Sequence, residues 1–134
     1  RCLANILPIT RESSMNTTAN QSEATMWQSL QLSKEQMPEL TQAYYGEVSD
    51  AVYQEGALDL KTKRLMSLAI AVQAGCHDCM ISQTSRSLEL GATVSEILET
   101  CSVAISMGGT LAWSKALVVI NYLAEQGLIA SASP

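Results

Sequence analysis

Two cysteines three positions apart offer the clearest chemistry in this sequence. Cys76 and Cys79 bound the segment Cys76-His77-Asp78-Cys79, directly after Gly75. On an α-helix, residues three apart share a face, so the two sulfurs can meet and a disulfide can form and open at one place. A cysteine thiolate attacks peroxides and disulfides, and a second cysteine resolves the product. The pair predicts a redox centre, with a metal site or a purely structural role as the alternatives.

The elements that must position this pair are predicted to be helices. Asp59 is a typical N-cap, and Thr93 with Glu96 forms the pattern of a capping box. Gly75 and Gly91 are typical of helix ends. The predicted helices cover residues 23–30, 38–54, 60–74, 76–90, 94–107 and 110–126, with a break at residues 108–109. Since no segment shows the alternation of a strand, we expect a single-domain all-α bundle of five to six helices.

The apolar patterns indicate which helix faces are buried. The helix over 60–74 is apolar almost all round and should be central, with Met66 and Ile70 extending its buried side. A stripe at i+4 spacing in the helix over 38–54 should also face the core. Its members are Leu40, Tyr44, Val48 and Val52. We expect residues 21–130 to form the helical domain and residues 1–20 to be an N-terminal extension.

Composition and charge exclude several classes of function. The chain has 134 residues, of which 47% are apolar and 16% charged, which is typical of one globular domain. The formal net charge is −5, and the strongest basic cluster is the short KTKR segment at 61–64. This argues against binding to nucleic acid or to an anionic membrane surface. Apolar runs such as 68–72 are too short to span a bilayer.

The N-terminal residues show no targeting signal. The segment 1–9 is apolar but too short and too interrupted for a secretory leader. Met15 suits a native start, so we expect residues 1–14 to be an upstream or appended segment, with an arm that docks on a partner as the alternative. Because four cysteines in this chain do not form a secreted disulfide framework, we expect a cytoplasmic protein.

A zinc site at the cysteine pair lacks ligands. Zinc needs four, and only Cys2, Cys101 and His77 remain to complete the set. His77 would point away from the face shared by the two sulfurs, and Cys101 falls on a core stripe where a free cysteine is typically a small apolar residue. We therefore predict no metal site.

Segments around the cysteine pair resemble a known family. They are residues 59–72 (DLKTKRLMSLAIAV), 75–79 (GCHDC), 90–97 (LGATVSEI) and 107–109 (MGG). Over about residues 40–126 this pattern resembles the carboxymuconolactone decarboxylase / alkylhydroperoxidase D-like family. The resemblance implies an all-α fold and a homo-oligomer, either a trimer or a hexamer. For members with the cysteine pair, it implies thiol-dependent peroxidase or disulfide reductase activity.

The resemblance also implies roles for single residues, and one departure stands out. It implies that Cys79 attacks and that Cys76 resolves. Peroxidase members carry a Glu twelve residues before the first cysteine and a His four residues after the second, which form a proton relay with water. Here those positions hold Arg64 and Gln83. Because Arg does not deprotonate in proteins and Gln does not titrate, the usual relay cannot operate.

Three further residues are accessory candidates at this site. Arg64 can stabilise a nearby thiolate by its charge, and Gln83 can orient a substrate by hydrogen bonding. The alternatives are that Arg64 lies at a solvated helix start and that Gln83 lies on a polar face. His77, the sole histidine of the chain, can replace the lost base, or it is an exposed first-turn residue with no role.

We therefore expect a CxxC oxidoreductase, either a peroxidase or a disulfide reductase. Its partners would be a small peroxide or disulfide and an external thiol reductant, and no cofactor is implied. The alternative is a non-catalytic oligomeric member or binding protein with a degenerate relay. A third option is a lyase of the carboxymuconolactone decarboxylase type, against which the cysteine pair argues because that chemistry does not need it.

Overall fold

The computed structural model describes residues 18–130, and every regular element in that range is helical. In chain order the elements are α1 (Ala19–Gln36), α2 (Pro38–Thr41), a π-helical segment (Gln42–Val48), α3 (Ser49–Val52), α4 (Leu60–Ala74), α5 (His77–Glu89) and α6 (Val94–Glu125). The predicted all-α class is confirmed. The expectations for Cys2 and Met15 lie outside the described residues.

Local sequence sets the helix ends on either side of the cysteine pair. Asp59 accepts a hydrogen bond of 2.7 Å from a first-turn N–H of α4, and Thr93 with Glu96 forms a capping box at the start of α6. Gly75 and Gly91 follow α4 and α5 with φ values of 71° and 80°. These are left-handed conformations that favour glycine, and they end the two helices as predicted.

Helix α1 is longer than the predicted span of 23–30. It begins at Ala19, which is buried. The backbone N–H groups of Ala19 and Asn20 both donate to the carboxylate of Glu125, each at 3.1 Å. The end of α6 thus supplies acceptors for two N–H groups that a helix start leaves unpaired. These contacts with α6 stabilise the first turn of α1, which the local sequence pattern did not predict.

The core lies where α4, α5 and α6 pack against one another. Its fully buried side chains include Leu68, Val72, Met80, Ile97, Val119 and Leu123. Burial of each such side chain contributes about 1.5–3 kcal/mol relative to exposure. Gly75, which joins α4 to α5, is itself exposed, but the buried Val72 and Met80 anchor the two helices on either side of it.

Two predicted core patterns are wrong for the single chain. Met66 and Ile70 were expected to extend the buried side of α4, but they are 50% and 66% exposed. The stripe in the helix over 38–54 is also exposed along its whole length. Its residues are Leu40, Tyr44, Val48 and Val52. The helical members of the two buried clusters come from α1, α4, α5 and α6, so no described core packs against these four side chains, and a π-helical segment also interrupts their α-helical spacing.

The predicted break at residues 108–109 appears as a kink inside α6. Gly109 has φ 60° and ψ −148°, which is not helical, and the helix resumes after it. By length and apolar composition alone, α6 is long enough to cross a membrane. The short apolar runs in the sequence did not predict this. Seven of the eight buried residues of α6 pack in the core with α4 and α5, and the eighth, Tyr122, packs with Ala19 and Ile81.

Candidate redox site

The structure joins the two cysteines of the CxxC segment in a disulfide. Cys76 and Cys79 have Cα atoms 5.2 Å apart and bonded sulfurs. Cys76 is the N-cap of α5 and is half-buried, whereas Cys79 lies in the first turn and is exposed. Cys79 is therefore the more exposed of the two residues.

A one-residue turn delivers Cys76 to this position. Gly75 has φ 71° and donates its N–H to the carbonyl of Ala71 at 2.9 Å. The N–H of Cys76 donates to the same carbonyl at 3.2 Å. These bonds satisfy the last turn of α4, so that α5 can begin at the next residue.

The N-terminus of α5 has no side-chain cap. Thr18, Asp59 and Thr93 accept hydrogen bonds at the starts of α1, α4 and α6, but Cys76 makes no such bond at α5. The first-turn N–H groups and the positive end of the helix dipole are therefore available to a negative charge. After reduction of the disulfide they favour thiolate over thiol at this position.

Two of the accessory candidates are in direct contact. The Nη1 of Arg64 donates to the Oε1 of Gln83 at 3.3 Å, and the guanidinium stacks on the ring of Tyr53, 3.4 Å from its centroid. Burial lowers the pKa of Arg64, although an arginine remains charged at neutral pH. Arg64 is thus half-buried and held by two neighbours, unlike the solvated residue of the alternative interpretation.

Gln83 connects this arginine to the cysteine pair. It lies four residues after Cys79 on α5, and residues four apart on a helix share a face. Gln83 therefore lies on the face of α5 that carries Cys79, and its hydrogen bond brings Arg64 to the same face.

Residues 38–121 match the carboxymuconolactone decarboxylase family. The chain belongs to this family. Among curated relatives, an uncharacterised protein of Cupriavidus necator is 37% identical over 89 residues, covering 64% of this chain and 78% of the relative. Uncharacterised protein 4 in the cox locus of Paracoccus denitrificans is 34% identical over 77 residues, covering 55% of this chain and 69% of the relative.

Two solved structures of carboxymuconolactone decarboxylase family proteins share the fold. An apo protein from Legionella pneumophila has a TM-score of 0.76 and 30% identity, covering 80% of this chain and 95% of its own. A protein from Thermotoga maritima, for which a role in the antioxidative response has been suggested, has a TM-score of 0.69 and 27% identity. That comparison covers 78% of this chain and 89% of the other.

Sequence reasoning missed one cation at the site of this family member. Lys115 reaches from α6 and donates from Nζ to the carbonyl of Gln73 at 3.3 Å. A Cβ added to Gly75 would lie 2.7 Å from the Cε of Lys115 and 2.8 Å from its Nζ. The ammonium therefore lies against the residue that precedes Cys76. Lys115 is far from the pair in sequence, so no local pattern pointed to it.

His77 and Cys101 occupy different environments. His77 is half-exposed, and its Nδ1 lies 3.1 Å from the Oδ1 of its neighbour Asp78, which is also exposed. Cys101 is 3% exposed in the core, and burial raises the pKa of its thiol to about 11. This thiol remains protonated at neutral pH and acts as a packing residue. Within residues 18–130, no group of three or more His, Cys, Asp or Glu side chains is arranged to hold a metal.

Two apolar grooves lie on other parts of the surface. One, of about 210 Å³, runs between α4 and α6 and is lined by Ile70, Val103 and Met107 among others. The other, of about 170 Å³, lies along α6 and includes Trp113 and Leu117. Neither groove contains a residue of the CxxC segment. The cysteine pair is thus presented at the surface of the single chain.

Proposed function

We propose that this protein is a thiol-dependent oxidoreductase that reduces small peroxides or disulfides through Cys76 and Cys79. The observation that carries the proposal is the disulfide at the uncapped N-terminus of α5, with Cys79 an exposed residue. Exposed disulfides next to a thiolate-stabilising helix end are typical of redox-active pairs rather than of structural ones. The antioxidative role suggested for the Thermotoga maritima family protein supports the same chemistry.

In the peroxidase reaction the reduced pair supplies two electrons. The Cys79 thiolate attacks the distal oxygen of a hydroperoxide, so the O–O bond breaks, Cys79 becomes a sulfenic acid, and the alkoxide takes a proton from water. The Cys76 thiol then attacks the sulfenic sulfur, which forms the disulfide and releases water. An external dithiol restores both thiols and is itself oxidised to a disulfide.

The exposure of Cys79 supports its role as the attacking residue, and the contacts of Cys76 bear on how the disulfide reopens. Cys79 is the more exposed residue, so a substrate or reductant reaches it more readily than Cys76. Cys76, at the N-cap, leaves as a thiolate near the first-turn N–H groups when a reductant attacks Cys79. The nearby ammonium of Lys115 favours the same thiolate. A stabilised thiolate is the better leaving group, so these contacts favour opening of the disulfide.

We also propose that copies of the chain associate into a trimer or hexamer through exposed apolar residues of α4 and α6. Ile70, Val103 and Met107 line the larger groove and, like Leu111, are more than 60% exposed. Contiguous apolar surface of this kind is typical of association sites. Sedimentation at micromolar concentration should show the oligomer, and Met107→Glu should shift it towards monomer. A wild-type monomer would contradict this part of the proposal.

Steady-state turnover tests the proposed function. Wild-type protein with excess dithiothreitol should accelerate consumption of cumene hydroperoxide or 2-hydroxyethyl disulfide, and Cys79→Ser should abolish the acceleration. With cumene hydroperoxide and no dithiothreitol, reduced Cys76→Ser should react once and leave Cys79 as a sulfenic acid that dimedone labels. Cys101→Ser is the matched control, since it removes a thiol from the core and should leave turnover unchanged.

A second candidate function is a non-catalytic family member that acts as an oligomeric scaffold or binding protein. The Arg64–Gln83 hydrogen bond favours it, because these residues occupy the positions of the expected proton relay and neither can shuttle protons. Equal rates for wild type and Cys79→Ser with both substrates would support this second candidate and reject the first.

A further inference from the structure

Among the described residues, Arg64 is a positively charged group without a carboxylate partner. Two ion pairs occur within residues 18–130, Lys61 with Glu96 and His77 with Asp78, and neither includes Arg64. The charges that influence it from α5 are those of Arg86 and Glu89, which form no ion pair with it. A half-buried guanidinium that pairs with no acid of residues 18–130 is well suited to bind an anionic group from outside.

The guanidinium is held in place before any ligand arrives. It stacks on Tyr53, whose hydroxyl lies 2.8 Å from the Oγ of Ser67. The hydroxyl of Ser67 in turn donates to the carbonyl of Lys63 at 2.9 Å. This chain of contacts fixes the ring on which Arg64 lies. Less side-chain entropy is then lost on binding than for a free surface arginine.

Stacking leaves the edge of the guanidinium available. Arginine has five N–H donors, and the structure shows one hydrogen bond from Arg64, to the Oε1 of Gln83. Because Gln83 accepts through its oxygen, its NH₂ group is left as a further donor. The remaining N–H groups of Arg64 and the amide of Gln83 can together donate to a single carboxylate.

These donors lie within reach of the reacting sulfur. Cys79 and Gln83 are four residues apart on α5, which corresponds to about 6 Å along a helix axis. A substrate whose carboxylate is two or three bonds from its S–S or O–O bond spans this distance. The group would bind to Arg64 while the reactive bond lies at Cys79.

We propose that Arg64 and Gln83 form a carboxylate-binding subsite, and that the substrates are small anionic disulfides or hydroperoxides. This inference rests on the proposed function of the cysteine pair. With a disulfide, the two thiols of the protein become the Cys76–Cys79 disulfide, and the substrate disulfide becomes two thiols, so electrons and protons balance. Arg64 is here a specificity residue that binds the part of the substrate that does not react.

Three symmetrical disulfides of similar size provide the test. They are 3,3′-dithiodipropionate with two carboxylates, 2-hydroxyethyl disulfide with none, and cystamine with two ammonium groups. The rate at which each oxidises fully reduced protein is measured for wild type, Arg64→Gln and Arg64→Lys. Lys34→Gln, which removes one charge at the end of α1, is the control for net charge. Because the three leaving thiols differ in pKa, each variant is compared with wild type on the same substrate.

We expect Arg64→Gln to slow oxidation by dithiodipropionate about tenfold or more, since a charge-assisted hydrogen bond contributes at least this much. Oxidation by the neutral disulfide should change less than threefold, and Arg64→Lys should restore part of the loss. The ratio of the wild-type rate to the Arg64→Gln rate with dithiodipropionate should fall at 1 M salt.

Two outcomes separate this inference from the proposed function. If Arg64→Gln slows all three disulfides equally, or if Lys34→Gln has the same effect as Arg64→Gln, the subsite does not exist, although the redox function stands. If wild-type protein reacts with none of the disulfides and with no hydroperoxide, the proposed function itself is rejected.

Discussion

Replacing Gly75 with Ala tests how the turn before the cysteine pair is held. Gly75 has φ 71°, and alanine pays about 1–2 kcal/mol to adopt this left-handed conformation. The new Cβ would lie 2.7 Å from the Cε of Lys115. Since that side chain is flexible, it can move, but its hydrogen bond to the carbonyl of Gln73 would be lost. An exposed bond of this kind contributes about 0.5 kcal/mol.

Gly75→Ala should therefore lower the free energy of unfolding by about 1.5–2.5 kcal/mol. Gly91→Ala is a matched control, because Gly91 has φ 80° and a Cβ added there would meet nothing within 4 Å. It should lose about 1–2 kcal/mol, from the backbone alone. The difference between the two losses of unfolding free energy is the contribution of the contact with Lys115.

Urea unfolding of the oxidised proteins measures these losses of unfolding free energy. In thermal unfolding, each kcal/mol lost should lower Tm by about 4 °C. In a Lys115→Ala background, Gly75→Ala should cost no more than Gly91→Ala. The reasoning is refuted if Gly75→Ala is as stable as wild type. It is also refuted if Gly91→Ala is clearly the more destabilised of the two.

Three further predictions concern other parts of the fold. Interaction with Lys61 and with the N–H of Thr93 lowers the pKa of Glu96 from 4.5 to about 2, so the stability this carboxylate contributes is complete above pH 4.5 and is lost as the pH falls towards 2. Urea unfolding at several pH values should therefore show wild type and Glu96→Gln converging at low pH, and a constant difference would contradict this. Leu68→Ala, at a fully buried position of α4, should cost about 2–5 kcal/mol in the same assay, and a loss below 1 kcal/mol would show that the site is not closely packed. In reduced native protein, iodoacetamide at pH 7 should label Cys79 much faster than Cys101, as read by peptide mass spectrometry, and equal labelling would contradict the burial that raises the pKa of Cys101 to about 11.

Features set by neighbouring residues were predictable from the sequence. Asp59, Thr93 and Gly75 define helix ends through bonds that span only a few positions, and the structure has each of them as expected. The spacing of Cys76 and Cys79 on a helix start was enough to predict that their sulfurs could meet. The kink at Gly109 likewise follows from a pair of glycines in an apolar run.

Features set by tertiary contacts were not predictable. The stack of Arg64 on Tyr53 and the approach of Lys115 to Gly75 join residues on different helices, and no periodic pattern marks them. The exposure of Ile70 was missed for a different reason. An apolar pattern reports that a side chain avoids water, but not whether its own chain or another copy covers it. The π-helical segment also shifts the face of residues that a regular helix would align.

The central claim is that Cys76 and Cys79 form a working dithiol. Its most direct test is to reduce the protein fully, remove the reductant, add one equivalent of cumene hydroperoxide, and map the thiols by peptide mass spectrometry over time. The account predicts loss of two thiols per chain and an intramolecular Cys76–Cys79 disulfide, formed far faster than free cysteine reacts. Retention of both thiols, or oxidation of Cys79→Ser at the wild-type rate, would contradict it.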